Sequence, residues 1–570
     1  MKFKRLSIGT LGLLAVSGFA WSCSSKSDDC AANLNCAAYD GPAAGTSGSA
    51  SASGTSGASG MSGKGGASGT SGTSGGSGTS GEGGTDPVAG SGGAPPPTCD
   101  GTLSPDADNC VISDEYGVFV SPTGDDATAD GTQAHPYATV TSALAAIGKI
   151  KHVYVCAGDN PYAEPGTLEI PDRVSIYGGF SCADGNWSYD APLPAYLKVE
   201  SPIGAIITGA KVGVAIQDLR IDAANAPDDG SGASSFGLMV NGSAGIALKR
   251  VEIHAGKGGK GKAGADGVNG VDGAPSTDAQ NGLAGSCTSP PSVQDGPHAV
   301  PRQCESEGGN GGAARVATAY ASSQDGGSGY LVTPSNGGKG GDVVGQAATR
   351  GQDGSQGARG DTGAAAPSIG TFSLTGYSVA SGGSGMPGKA GQGGGGGGAS
   401  LGTATCIGAT GGAGGMGGCG GDPGTGGTGG GASVAMLSWQ STVSLDACKL
   451  VANMGGAGGD AGKGHIGGAG KAGGVGGTRD KDANVGEGGD GGKGGSGGNG
   501  GNGAGGTGGP SIALVYDGTS VAQLTPSVLN FAPMASAAGK GGTLGQANNY
   551  GPDGSKGLTQ DIYPKPATLP

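Results

Sequence analysis

The sequence predicts an all-β protein: a right-handed parallel β-helix (solenoid) with glycine-rich, polyproline-II-like loops, preceded by a disordered linker. A unit of three short apolar segments and a glycine-rich tract begins at Ser235 and recurs from Ser433 and Ser511. Within the tracts, glycine occupies every third position over long stretches. The 570 residues include 135 glycines and 31 prolines, whereas only 4% are aromatic. Such a composition cannot fill one large globular core, but a stack of short coils needs only a thin one.

Each copy of the repeated unit supplies three segments of strand length. In the middle copy the apolar segments lie at 434–437, 443–445 and 450–451, and the other two copies keep this order. No segment can bury its apolar face alone, so equivalent segments of successive copies are expected to pair and stack into a continuous core. Weaker copies are expected near Ala313 and Ser368.

The glycine tracts are expected to leave each coil after its third strand and to emerge on one side. They cover residues 256–312, 326–367, 381–431, 455–509 and 539–557. A three-residue period is that of the polyproline II helix, which has no internal hydrogen bonds, so neighbouring tracts can bond through their backbones. Disordered loops are the alternative, because glycine loses the most conformational freedom on ordering. A collagen-like triple helix is disfavoured, since the periodic runs contain almost no proline.

The N-terminus has the organisation of an export signal. Three basic residues precede an apolar run at 6–20 that is too short to span a bilayer stably. Cys23 follows this run and resembles the lipidated cysteine of a bacterial lipobox. The resemblance implies an exported protein that is anchored through Cys23, and Ser24 after it favours the outer membrane or cell surface. Ordinary secretion with cleavage nearby is the alternative.

The composition divides the chain into four regions. The signal peptide is followed by a Gly/Ser-rich flexible tether, a capped N-terminal part of the β-helix, and coils with long glycine-rich insertions. Their predicted bounds are 1–22, 23–110, 111–255 and 256–570. In the tether a glycine recurs every third residue from Gly54 to Gly84. A Gly/Ser chain of this kind is flexible and would hold the body away from the membrane.

A stretch near the start of the predicted body resembles the first coil of pectin-lyase-like right-handed β-helix proteins. It covers residues 118–180 and combines a strand, an Asp-rich loop, a Pro-Tyr-Ala-Thr motif and a helix over 140–150. Thr139 is the expected N-cap of that helix. The resemblance implies that the helix covers the first coil, whose backbone would otherwise be unpaired. The glycine tracts are similar to those of PGRS-type surface proteins, which implies a surface-exposed protein without catalysis.

The Asp-rich loop offers the leading candidate for a metal site. Asp125, Asp126 and Asp130 are closely spaced carboxylates of the type that bind Ca²⁺. The alternative is that they form Asx-type turns. No other cofactor is predicted.

Eleven cysteines remain when Cys23 is set aside from the twelve in the chain. Export to an oxidising compartment favours disulfides. Pairing of neighbours in sequence joins Cys30 to Cys36, Cys99 to Cys110, Cys156 to Cys182, Cys287 to Cys304, and Cys406 to Cys419. Cys448 is left over. A metal site formed by Cys287, His298 and Cys304 is an alternative, but this spacing matches no zinc motif.

No reaction is evident from the sequence. The net charge of −14 argues against nucleic acid as a partner, because Lys and Arg supply that affinity. Asp218, Arg220 and Asp222 alternate, so they are expected to share one strand face, and they are the best candidates for a polysaccharide lyase or hydrolase.

A structural or adhesive surface protein without catalysis is the leading prediction. Its expected partners are the membrane, through the lipid on Cys23, and extracellular glycans or surface proteins. A carbohydrate-active enzyme and a non-catalytic glycan-binding module are the alternatives. For the module, the candidate sugar-stacking residues are Tyr320, Tyr330, Tyr377 and Trp439.

Overall fold

Short parallel strands in three sheets form the body of the protein. The computed structural model describes residues 99–564, except 150–151, 159, 183–184, 192, 482–483, 518–521, 525–535, 538–539 and 543–549. The predicted signal peptide, most of the tether, and Cys23, Cys30 and Cys36 lie outside the described residues. None of the described helices is long and apolar enough to cross a membrane.

The strands are short and follow one another from sheet to sheet. The first sheet contains, in pairing order, β1 (Gly117–Val120), β2 (His152–Cys156), β5 (Ser175–Ser181), β9 (Val214–Gln217), β12 (Ile246–Lys249), β19 (Val443–Asp446) and β22 (Ala522–Leu524), with β6 (Ser188–Tyr189) antiparallel to β5. The second contains β3 (Tyr162–Glu164), β7 (Ala195–Val199), β10 (Leu219–Ala223), β13 (Glu252–His254) and β20 (Lys449–Val451). The third contains β4 (Leu168–Glu169), β8 (Ile203–Thr208), β11 (Ser235–Asn241), β18 (Ser433–Trp439), β21 (Ser511–Tyr516) and β23 (Thr559–Tyr563).

The repeated unit of the sequence appears as repeated pairing in register. From β7 to β22 the chain visits the second, third and first sheets in turn. In the third sheet Ser235 pairs with Ser433, and Ser433 pairs with Ser511. The predicted stacking is therefore confirmed for the first two segments of all three copies and for the third segment of the first two. The predicted third segment of the last copy, at 528–531, lies outside the described residues. The parallel sheets are compatible with a β-helix-like fold.

The core lies between the sheets and consists of columns of equivalent side chains. Leu238, Met436 and Leu514 occupy the same position in three successive strands of the third sheet, and all three are buried. Comparable columns line the first and second sheets and join the same cluster. Each coil contributes only a few apolar residues, which explains how a chain so poor in aromatic residues can fold.

Two antiparallel hairpins lie outside this pattern and correct two predicted copies. The stretch near Ala313 forms β15 (Ala314–Arg315), which pairs with β14 (Val293–Gln294). The stretch near Ser368 forms β16 (Thr371–Ser373) and β17 (Gly376–Ser378). The side chains of this second hairpin pack on the outer apolar face of the third sheet. Apolar content alone could not distinguish a strand that covers a sheet from one that extends it.

A short helix covers the beginning of the core, as predicted. Helix α1 (Val140–Ala146) is capped by Thr139, whose side chain accepts a hydrogen bond from the N–H of Ser142. Its N-terminal N–H groups also donate to the fully buried carboxylate of Glu164. The helix is shorter than expected, because the backbone is already extended at Ile147. Short 3₁₀ turns lie at Asn109–Val111 and Asp278–Gln280.

The last residues of the predicted tether belong to the folded body. Cys99 is joined to Cys110, and the carbonyl of Gly101 lies 2.8 Å from Nε2 of His152. Lys249 Nζ donates to Asp106 Oδ2 at 2.5 Å. Residues 99–110, at the end of the predicted tether, therefore contact the first sheet through His152 and Lys249.

The Lys249–Asp106 pair should make the attachment of this segment sensitive to acid. Burial opposes ionisation of Asp106, but hydrogen bonds from Lys249, Ser104 and Gln217 outweigh it and lower its pKa to about 2. The unfolded value is about 3.9. The pair therefore stabilises the fold above about pH 4, and this contribution is lost as the pH falls through about 2.

We expect Lys249→Met to lower the free energy of unfolding at pH 7 by about 1 kcal/mol, since solvent partly screens the pair. The difference from the wild type, measured by urea denaturation, should shrink as the pH approaches 2. Lys257→Met, at an exposed lysine, is the control. A Lys249→Met difference that does not change with pH would contradict this role.

The glycine-rich tracts are hydrogen-bonded to one another. We name six of them glycine segments G1 (258–283), G2 (351–364), G3 (380–398), G4 (410–431), G5 (454–478) and G6 (486–509). In G4 the N–H groups of Gly412 and Gly415 donate to the carbonyls of Gly489 and Gly492 in G6, and this pattern continues in steps of three residues. G4 bonds in this way to G1, G3, G5 and G6, and G6 bonds to G2, G3, G4 and G5. The three-residue step is the repeat of a polyproline II helix.

Candidate functional surfaces

The outer face of the second sheet carries a cluster of polar side chains, which we call the polar ladder. In strand register, Arg220 lies between Tyr196 and Glu252, and Lys449 follows Glu252. The neighbouring column contains Lys198, Asp222 and His254. Alternation along each strand points these residues away from the core, because their neighbours Leu197, Ile221, Ile253 and Leu450 point into it.

Asp222 is the centre of the ladder. Arg220 binds it with two hydrogen bonds, Nε to Oδ1 at 2.9 Å and Nη2 to Oδ2 at 2.7 Å. The Tyr196 hydroxyl donates to Oδ2 at 2.8 Å. The Arg220 guanidinium also lies 4.4 Å from the centroid of the Tyr196 ring. Two hydrogen bonds from one guanidinium and one from a hydroxyl therefore hold this carboxylate in one orientation.

The charges of the ladder are paired on the next two strands as well. Glu252 Oε2 lies 3.2 Å from His254 Nε2 and 3.2 Å from Lys449 Nζ. Burial tends to raise the pKa of Asp222, but the hydrogen bonds from Arg220 and Tyr196 outweigh it and lower that pKa. The pKa of Glu252 is also lowered, because hydrogen bonds from His254 and Lys449 outweigh burial. Both carboxylates are ionised at neutral pH, whereas a general acid needs a raised pKa.

Asp218 does not share a face with Arg220 and Asp222, contrary to the alternation in the sequence. It lies in the turn between β9 and β10 with φ of +54°, so the strand pattern begins only after it. Its side chain is 1% exposed and accepts hydrogen bonds from Arg250 Nε at 2.6 Å and Nη2 at 2.8 Å. The Tyr189 hydroxyl also donates to it. The predicted trio is thus split between the ladder and a buried ion pair.

Sequence reasoning missed the partners of Asp218. Arg250 occupies the corresponding turn of the next coil, between β12 and β13, and also has a positive φ, +52°. The sequence does place Asp218 and Arg250 immediately after two strands that prove to be paired, and this was the available signal. Tyr189 comes from β6, whose position beside β5 has no signature in the repeat.

The three aspartates of the Asp-rich loop accept hydrogen bonds from different stretches of backbone. Asp125 Oδ1 accepts from the N–H of Ala127, and Asp130 Oδ1 accepts from the N–H of Thr132, so both form Asx turns. Asp126 instead accepts from the N–H groups of 138 and 139 and fixes the start of α1. Within the described ranges no three His, Cys, Asp or Glu residues form a group suited to a metal ion.

The disulfides confirm two of the predicted pairs and correct two. Cys99 is bonded to Cys110 and Cys156 to Cys182, as expected. The pairings Cys287–Cys304 and Cys406–Cys419 are wrong: Cys287 is bonded to Cys406 and Cys304 to Cys419. Proximity in sequence failed because the residues beside these cysteines pair with residues far along the chain: Ser286 exchanges backbone hydrogen bonds with Ile407, and Ser306 Oγ accepts from the N–H of Gly417. Cys448 is a buried free thiol, and burial raises its pKa.

Peptide mapping without reduction checks the corrected connectivity. We expect one linked species that joins the peptides of Cys287 and Cys406, and another that joins those of Cys304 and Cys419. Recovery of Cys287 linked to Cys304 would contradict the pairing of Ser286 with Ile407 and of Ser306 with Gly417.

Aspartate and asparagine side chains of G1 accept hydrogen bonds from backbone N–H groups of G5. The sequence analysis did not predict this role. Asp266 Oδ1 accepts from the N–H of Lys463 at 2.7 Å, and Asp272 Oδ1 accepts from the N–H of Ala469 at 2.7 Å. The two acceptors and the two donors are each six residues apart, which is two turns of a three-residue helix. The regular recurrence of Asp and Asn in the tracts was the signal.

The four candidate sugar-stacking aromatics lie in different environments. Tyr377 packs against Phe372 on the outer face of the third sheet, and Trp439 borders the same cluster. The Arg315 guanidinium lies 4.7 Å from the ring centroid of Tyr320. The Arg302 guanidinium lies 3.4 Å from that of Tyr330. Tyr320 and Tyr330 thus each have an arginine against one ring face.

No protein-family model, curated protein or solved structure matches this chain.

Proposed function

We propose that this protein is an exported, surface-anchored structural or adhesive protein without catalysis. The observation that carries the proposal is the set of six hydrogen-bonded glycine segments. They form a large ordered surface made mainly of backbone, with few side chains able to perform chemistry. The acidic composition fits an exposed, solvated protein.

The proposal includes the finer architecture of the body. The three parallel sheets are taken as the three faces of a right-handed β-helix, similar to the pectin-lyase-like proteins, and G1 to G6 as a bundle of polyproline II helices beside it, similar to PGRS-type proteins. The in-register pairing of Ser235, Ser433 and Ser511 supports the first, and the three-residue hydrogen-bond step supports the second.

The anchor is proposed to be a lipid on Cys23 in the outer membrane or at the cell surface. Its support is the basic and apolar run that precedes Cys23. Several acyl chains together give a stable membrane attachment. Metabolic labelling with radioactive palmitate should mark the wild type and leave Cys23→Ala unlabelled. Equal labelling of the two would reject the anchor.

Adhesion is tested with cells that produce the full chain. They should adhere to a monolayer of cells that lack the protein, and cells without the gene should adhere at least tenfold less. Equal adherence would reject an adhesive role and leave only a structural one.

The alternative function is a carbohydrate-active enzyme or glycan-binding module on the polar ladder. The observation that favours it is the convergence of Asp222, Glu252 and His254 beside Tyr196. An enzyme would cleave a polysaccharide and lose that activity in Asp222→Ala, whereas a binding module would be retained on a polysaccharide column. The pairing of both carboxylates with cations supports a structural role for the ladder, and absence of cleavage across a broad glycan panel with Ca²⁺ present would count against the enzyme.

A further inference from the structure

Two disulfides beside the glycine segments close long loops. Cys287 and Cys406 are 119 residues apart in the chain, and Cys304 and Cys419 are 115 residues apart. We call these the native pairs. The local pairs, Cys287 with Cys304 and Cys406 with Cys419, would close loops of only 17 and 13 residues. Because the entropic cost of closing a loop grows with its length, an unfolded chain should form each local pair about twentyfold more readily than a native pair.

The second local pair does not fit the folded glycine segments. Residues 410–419 lie in G4, whose hydrogen bonds recur every three residues. At the rise of a polyproline II helix, the architecture proposed for G4, this stretch spans roughly 28 Å. The residues between Cys406 and 410 can reach back by about 14 Å at most. The Cα atoms of a disulfide lie within about 7 Å of each other, so Cys406 cannot reach Cys419 while G4 is straight.

The cysteines of the first local pair lie beside different parts of the same stretch. Ser286 exchanges backbone hydrogen bonds with Ile407. The Ser306 hydroxyl oxygen accepts a hydrogen bond from the N–H of Gly417. A chain that has closed the local pairs must therefore open them before G4 can take its place among the glycine segments.

Thiol–disulfide exchange converts two local pairs into two native pairs without an oxidant. A thiolate from outside the chain attacks Sγ of Cys304, forms a mixed disulfide there and releases the thiolate of Cys287. That thiolate attacks Sγ of Cys406 and releases the thiolate of Cys419. The Cys419 thiolate then attacks Cys304 and releases the outside thiolate. Two disulfides are present before and after, so the outside thiol, which loses its proton to water and regains it, acts as a catalyst.

The free thiol of the chain itself is a poor source of this thiolate. Among the described residues Cys448 alone is a free cysteine, and it is 2% exposed. It lies in the core of the stacked coils, where its Sγ donates to the carbonyl of Leu248 at 3.3 Å. Burial raises its pKa, which lowers the fraction of thiolate. The attacking thiolate therefore has to come from another molecule.

We infer that the native pairs form by thiol–disulfide exchange, and that this protein is the substrate of a thiol–disulfide isomerase, a partner protein with a reactive thiol, in the compartment where it folds. The connectivity and spacing of four cysteines carry this inference. It uses the architecture proposed for G4 and does not depend on an adhesive role.

Oxidative refolding of the full chain tests the inference. The reduced, urea-denatured protein is diluted into diamide alone, into a mixture of reduced and oxidised glutathione, or into diamide followed by a purified, reduced disulfide isomerase. Linked peptides are then mapped without reduction. With diamide alone the local pairs should exceed the native pairs at least tenfold. Glutathione and the isomerase should each reverse this ratio, because both supply a thiol for exchange.

Two disulfides of the body are the matched control. Cys99–Cys110 and Cys156–Cys182 span only 11 and 26 residues, so they should form in every condition. Cys448→Ala should behave like the wild type. Native pairs as the main product in diamide alone would overturn the inference, as would local pairs that persist with the isomerase. Native pairs that form without added thiol in the wild type but not in Cys448→Ala would replace the partner with the chain's own thiol.

Discussion

Gly494→Ala is expected to destabilise the protein by about 3 kcal/mol or more, although it adds a single methyl group. Gly494 lies in G6, and a Cβ there would overlap the carbonyl oxygen of Met416 in G4. The overlapping group is backbone, so it cannot turn aside as a flexible side chain would. Either the hydrogen bond from the Gly494 N–H to the carbonyl of Lys471 or the packing against G4 must be lost. The free energy of unfolding in urea measures the effect.

Lys493→Ala is the matched control, one position earlier in the same X-Gly-Gly run. Lys493 is exposed. Its backbone N–H donates to Asp353 Oδ1 and its backbone carbonyl accepts from the N–H of Gly354, so alanine preserves both hydrogen bonds. We expect a change within about 0.5 kcal/mol. Equal stability of Gly494→Ala and Lys493→Ala would show that the close approach of G4 and G6 is not required.

Arg250→Met is expected to cost about 3 kcal/mol, because it leaves the buried carboxylate of Asp218 without its cation. Arg250 supplies two hydrogen bonds to Asp218, and its Nη2 also donates to the Tyr189 hydroxyl at 2.9 Å. The hydrogen bond to Asp218 raises the pKa of Arg250, so the guanidinium stays charged throughout the accessible pH range. Thermal and urea denaturation measure the loss.

Two further variants separate the ion pair from the arginine itself. Asp218→Asn/Arg250→Met should recover part of the loss, since no buried charge remains unpaired, and the double-mutant cycle gives the coupling. Arg350→Met removes an exposed pair in which both side chains, Arg350 and Asp353, are 58% exposed, and it should cost less than about 0.5 kcal/mol. Similar losses of unfolding free energy for Arg250→Met and Arg350→Met would contradict a stabilising ion pair at the buried Asp218.

The repeated unit made the body predictable. Three copies that begin at Ser235, Ser433 and Ser511 carry their apolar residues in the same order, and the strands pair in that register. Thr139 before an apolar helical pattern predicted α1, because a hydroxyl side chain can accept a hydrogen bond from the first turn. These features are local or repeat regularly, so one sequence was enough.

Contacts between distant segments were not predictable from the sequence. The pairing of Cys287 with Cys406 depends on Ser286 lying beside Ile407, and nothing in the sequence around either cysteine identifies this neighbour. The ion pair between Asp218 and Arg250 was missed because a positive φ at Asp218 interrupts the alternation of the strand. The hairpin at 371–378 resembles a coil in apolar content but serves to cover one.

The central claim is that the glycine segments are ordered. Hydrogen exchange of the backbone amides of G6 tests this claim most directly. The N–H groups of both glycines in each triplet are bonded: that of Gly494 to Lys471 in G5 and that of Gly495 to Gln392 in G3. The N–H groups of Ser496 and Asn499 have no partner among the described residues.

We therefore predict a three-residue pattern across 494–501, in which the two glycine amides of each triplet are protected and the amides of Ser496 and Asn499 exchange rapidly. Rapid exchange of every amide in G6, with no three-residue pattern, would contradict the ordered bundle on which the proposed surface function depends.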